Sequence, residues 1–165
     1  MTMKTRFIAA IALGLATTAS MAALPMAASA QEKTTDYNYV GAGVGVGSLG
    51  TSDVGLSINS KFTVADNVSL RPGVLSDLNF SGDGETVFLV PVTYDFNAVT
   101  RDGRVLPYLG GGVSVSTQGS GAVGPMVTGG VDYRITDRIV ANGAVNWSIY
   151  ENSRVNGSIG LGYSF

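Results

Sequence analysis

From Val40 to the C-terminus, apolar residues recur at every second position. Val40, Ala42, Val44 and Val46 alternate with glycine. Even positions carry the pattern through 54–64, 68–80 and 86–96. The parity then switches, and odd positions carry it through 105–115, 125–135, 139–149 and 155–165. Strict alternation is the signature of half-buried strands, so the chain predicts eight strands. Asp66-Asn67 and Thr136-Asp137-Arg138 read as tight turns and 97–104 as a longer one. At the other ends, 47–53, 81–85, 117–124 and 151–154 read as short loops rich in Gly, Ser and charge. Pro72 and Pro91 fall inside strands, where proline removes a ladder bond; they predict bulges or breaks. Residues 61–74 and 132–145 share a weak aromatic-x-aliphatic-x-Asp-x-aliphatic pattern, which reads as one solution used for two turns.

The segment before the strands has a different character. Lys4 and Arg6 precede an apolar run at 7–16 (FIAAIALGLA), and Ala28-Ser29-Ala30 is a small-x-small cleavage signal. This is the pattern of a secretory signal peptide, 1–30, cleaved after Ala30. It leaves residues 31–165 as one exported domain, with 8 basic and 12 acidic residues. No later stretch is apolar for the length of a membrane helix.

The two strand faces differ in kind. None of the positions on the apolar face is charged. The other face is Gly, Ser, Thr and Asn with few charges, whereas a soluble sandwich carries many charged residues on its solvent face. A charge-free apolar face opposite a sparsely charged polar one suits a barrel with lipid outside and a polar lumen within. In lipid every backbone group must be paired, so the sheet must close. The fold class is therefore all-β, an eight-stranded antiparallel up-and-down transmembrane β-barrel. Phe62, Tyr94, Phe96 and Tyr133 lie beside the turns, and Phe80, Phe88 and Trp147 beside the loops, as an aromatic girdle requires. The rival reading is a soluble periplasmic barrel that binds an apolar ligand.

These residues resemble the small eight-stranded outer-membrane β-barrel family of Gram-negative-type bacteria, the OmpA-like or opacity-like barrels. The resemblance rests on 39–47 (YVGAGVGVG), 90–96 (VPVTYDF), 107–113 (PYLGGGV) and 159–165 (IGLGYSF). It implies location in the outer membrane, contact with its lipid, and a C-terminal assembly signal, Ile159, Leu161, Tyr163 and Phe165, read by the barrel-assembly machinery. The family's long surface loops are missing, which weighs against adhesin or receptor roles. Its lipases and proteases use histidine pairs, and this chain has no His and no Cys. The expectation is no catalysis, no cofactor and no metal.

Other motifs add little. Gly45-Val46-Gly47-Ser48-Leu49-Gly50 matches G-x-G-x-x-G, but a strand follows where a nucleotide site needs a helix. Asn67, Asn79, Asn146 and Asn156 head chance sequons. A net charge of −2 leaves no footprint for nucleic acid. Asp83 and Glu85 read as a solvated turn. The inward charges Lys61, Arg71, Asp95, Asp132 and Arg134 form one layer near the turns. With hairpins centred on their turns, Lys61 faces Tyr39 and Arg71, Arg71 faces Asp95, and Tyr108 faces Asp132. Two opposed cations repel unless carboxylates intervene. Such a layer is either a structural plug or a gate over a narrow water-filled lumen of small residues. The function expected is an envelope-structural or surface role; the alternative is a narrow pore for small solutes.

Overall fold

The computed structural model describes residues 35–50, 52–79 and 83–165. The signal segment and Phe80 lie outside them. The strands are β1 (Tyr39–Leu49), β2 (Ser52–Ala65), β3 (Val68–Leu70), β4 (Gly73–Ser76), β5 (Thr86–Asp95), β6 (Val105–Ser116), β7 (Ala122–Arg134), β8 (Ile139–Ser148) and β9 (Arg154–Ser164). All pairings are antiparallel and, apart from β3 and β4, join sequence neighbours; β1 pairs with both β2 and β9, which closes the sheet. β3 and β4 are two halves of one stave, because both lie between β2 and β5. The wall therefore has eight staves.

The two prolines explain the interrupted stave. An antiparallel hydrogen-bonded pair exchanges two bonds. Arg71 N donates to Pro91 O at 3.0 Å, and Ser60 N donates to Pro72 O at 3.1 Å. Neither proline can return the bond. The ladder thus loses one bond on each side of the same stave, where β3 ends and β4 has yet to begin. Pro72 marks a break, whereas Pro91 stays within β5 opposite Gly112.

Tracing partners around the wall from Tyr39, through Lys61, Arg71, Pro91, Gly112, Met126, Ser148 and Arg154, returns to β1 at Leu49, ten residues further on. With about 3.3 Å per residue and about 4.8 Å between strands, this offset tilts the staves by about 40° and sets a wall radius of about 8 Å. A barrel of that size is filled by its own side chains.

The parity of the sequence is the parity of the wall. Val44, Ile58, Phe88, Val90, Leu109, Val127, Ile159 and Leu161 are among many large apolar side chains exposed on the outside. Every charge within a strand, at Asp53, Lys61, Asp95, Asp132, Arg134 and Arg154, stands at an inward position. The alternation of β5 is unbroken from Val87 to Asp95, buried and exposed in turn. No helix long and apolar enough to cross a membrane occurs among the described residues.

Candidate functional site: the two ends of the lumen

At the turn end, four of the five inward charges meet. Lys61 and Asp132 are both 0% exposed. The Arg71 guanidinium donates to Asp95 at 3.0 Å and Asp132 at 2.9 Å through Nη2, and to Thr93 Oγ1 at 3.0 Å through Nε. Its face lies 3.6 Å from the centre of the Tyr108 ring. Lys61 Nζ is 3.3 Å from Asp95 and donates to Thr63 Oγ1 at 3.0 Å. Two cations and two carboxylates thus balance in a closed network. Further hydrogen bonds to the carboxylates come from Ser69 to Asp95, and from Tyr39 (3.1 Å) and Asn142 (2.6 Å) to Asp132. Buried ions need such partners.

Two of the four opposed pairs differ from the centred-hairpin expectation, while Lys61 does face Arg71. Tyr39 does stand opposite Lys61. Arg71, however, stands opposite Pro91, and it reaches Asp95 by the length of its side chain. Asp95 is opposite Tyr108, Tyr108 opposite Gly130, and Asp132 opposite Leu106. Off-centre loops displace the registers: the β6–β7 pairing is centred on Gly119, one of two glycines there with positive φ. A side chain at Gly130 would collide with the Tyr108 hydroxyl at 2.5 Å, so this glycine makes room for the ring that stacks on Arg71. Arg134 is not in the network. It lies at the rim, 3.8 Å from Asp137 and 5.5 Å from the Tyr37 ring.

The strand pattern missed the residues that complete this end. Residues 35–38 precede β1 and fold into the mouth. Thr35 O and Tyr37 O accept from Lys61 Nζ at 2.6 and 2.8 Å. The Tyr37 hydroxyl donates to Asp132 at 2.6 Å, and its ring stacks on Tyr39. Burial, with Asp132 beside it, holds that hydroxyl well above the usual tyrosine range, so it stays a donor. No periodicity reaches this far, and only the aromatic spacing of Tyr37 and Tyr39 hinted at it.

The loop end corrects two expectations. The lumen there is not lined only by small polar residues: Leu49, Leu75, Val87, Leu89 and Met126 form an apolar cluster inside it. Glu85 is not a solvated turn residue either, being 1% exposed. It accepts from Gly50 N at 2.6 Å, from Ser116 Oγ and from Arg154 Nη1. Arg154 Nη2 also donates to Gln118 Oε1 at 2.5 Å. Between the two ends lies a cavity of about 40 Å³ lined by Ser57, Asn59, Arg71, Thr128 and Asn146 among others, room for a few waters.

On the outside, Phe62, Tyr94, Tyr133, Tyr163 and Phe165 are exposed towards the turn end, and Phe88 and Trp147 towards the loop end. Phe96 packs edge-on against Tyr94 at 5.2 Å. Ile159 and Phe165 are 72% and 69% exposed, and Leu161 and Tyr163 share their face. The G-x-G-x-x-G stretch lies in β1 and its turn.

No family model matches the sequence, and no curated protein matches it. Solved structures do. A designed transmembrane β-barrel is similar over 82% of this chain and 98% of its own, with 17% identity and a TM-score of 0.59. The N-terminal β-barrel domain of Pseudomonas aeruginosa OprF is similar over 78% and 97%, with 16% identity and a TM-score of 0.59. Ail, the attachment invasion locus protein of Yersinia pestis, is similar over 78% and 98%, with 12% identity and a TM-score of 0.55. The chain has the fold of the small eight-stranded transmembrane β-barrels.

Proposed function

We propose that this protein is an integral outer-membrane barrel with an envelope-structural or surface role and no catalysis. The carrying observation is the exterior: a closed wall whose outward strand positions are uncharged and largely apolar, with every strand charge turned inward. Such a surface is stable against hydrocarbon and unstable against water. The outer membrane is favoured because proteins of this shape, OprG of Pseudomonas aeruginosa and Ail among them, are outer-membrane proteins. The exposed C-terminal face of Ile159, Leu161, Tyr163 and Phe165 suits recognition by the barrel-assembly machinery. One similar structure of Ail holds a heparin analogue, sucrose octasulfate. That ligand class does not carry over: Asp53, Asp83 and Glu151 are exposed at this loop end, and Arg154 is engaged by Glu85.

The test is membrane fractionation with gel mobility of unboiled against boiled samples. A heat-dependent shift in the outer-membrane fraction is expected; a soluble periplasmic protein without a shift contradicts the reading. The filled lumen supports a plug over a pore. A turn-end gate predicts that Arg71→Ala with Asp95→Ala raises bilayer conductance; a plug backed by the loop end predicts that conductance stays near zero.

A further inference from the structure

Glu85 belongs to none of the turn-end chemistry, yet it is a buried carboxylate with three hydrogen-bond donors at the loop end. We infer that Glu85 clamps described residues of the four loop-end connections, Gly50, Asp77, Ser116 and Arg154, into one lid over the lumen, with Arg154 as its counter-ion. This deepens the plug reading and rests on it.

The geometry is specific. Each connection contributes one group. Gly50, between β1 and β2, donates its N–H at 2.6 Å. Glu85 is the last residue before β5, and its own carbonyl accepts from Asp77 N at 3.2 Å. Ser116, at the end of β6, donates its hydroxyl to Glu85 and receives Gln118 N at 3.3 Å. Arg154 opens β9 and bridges Glu85 to Gln118. A single side chain therefore holds elements spread around the whole circumference, and the apolar cluster of Leu49, Leu75, Val87, Leu89 and Met126 lies within the lumen at the same end. Gly50 is at φ +53, and a Cβ there would meet Glu85 Cβ at 2.9 Å and Asp77 Oδ2 at 2.6 Å. The lid thus requires glycine at that corner, for conformation and for space. Charge-assisted bonds from a buried carboxylate are the strong ones, so the clamp dominates the closed state of the loops.

The consequence is a barrel closed separately at both ends. Opening the turn-end network alone leaves the lid in place, so a solute path needs Glu85 released as well. The experiment uses the full chain refolded into lipid vesicles and digested with proteinase K, with cleavage sites mapped in 117–121 and 149–153. Glu85→Gln, which removes the charge at nearly constant size, and Arg154→Gln, which removes the charge together with the reach of the guanidinium, are expected to speed loop cleavage about tenfold or more, since cleavage tracks the open population. Gly50→Ala, which removes no charge and instead crowds Glu85 and Asp77, is expected to do the same. All three are to keep the heat-dependent gel shift of the parent, which separates an open lid from an unfolded barrel. Parent-like cleavage in shift-positive Glu85→Gln and Gly50→Ala overturns the clamp. If one variant loses the shift, the other two decide by the same measure. A parent with no heat shift defeats the membrane-barrel reading itself, whereas unchanged cleavage in shifted variants defeats only the lid.

Discussion

Arg71 shows how much one residue can hold together in this barrel. Among the described residues it is the only side chain that bonds both Asp95 and Asp132, and its guanidinium stacks on the Tyr108 ring. Removing one partner of a buried ion network leaves uncompensated charge. Arg71→Ala is expected to destabilise the barrel by about 3–5 kcal/mol, read as a lower urea midpoint for loss of the unboiled band. Tyr37→Phe removes one hydroxyl from Asp132 and keeps the ring. It is expected to lower stability by about 2 kcal/mol, the scale of a hydrogen bond to a charged group. An unchanged midpoint for Tyr37→Phe means that the mouth segment is not part of the folded barrel. Neither contact was readable from spacing alone. Arg71 and Asp132 are 61 positions apart, and alternation reports which face a residue takes but not its height on the wall.

At the scale of strands, alternation was enough to assign every stave and every face. The reason is physical: a period of two has a single phase per strand, and a one-residue slip would drive charge into the apolar face. Register between strands was harder, because it depends on where each loop is centred. The shifts at Tyr108 and Arg71 come from that. Depth along a stave gives a graded prediction. Val90→Arg, near the middle of β5, is expected to cost about 2–4 kcal/mol, and Val64→Arg, near the end of β2, about 0–1 kcal/mol. Equal costs at the two positions, measured by urea unfolding in vesicles, contradict a membrane belt. The interior apolar cluster was open to the same reading: Leu49, Leu75, Val87, Leu89 and Met126 all stand at inward positions, but an apolar residue facing inward breaks no pattern that marks the outer face. Glu85 looked solvated because its neighbours are Gly, Asp and Ser; its partners Gly50, Ser116 and Arg154 come from distant parts of the chain.

At the scale of the molecule, the composition resolves into places. Charge is absent from the outward strand positions and paired at both ends of the lumen. The radius set by eight staves leaves room for side chains and a small cavity. The account therefore predicts a barrel that is embedded in lipid yet closed to solutes, with no steady conductance in a planar bilayer. The lipid contact is the central claim, and the chain's lack of cysteine makes it directly testable. Single cysteines along β5 carry an environment-sensitive fluorophore in refolded vesicles. Labels at Phe88, Val90 and Val92 are predicted to be blue-shifted and quenched by lipid-borne quenchers, and labels at Val87, Leu89 and Thr93 to be insensitive to them. Quenching without a period of two, or outward sites quenched instead by aqueous iodide, contradicts the account.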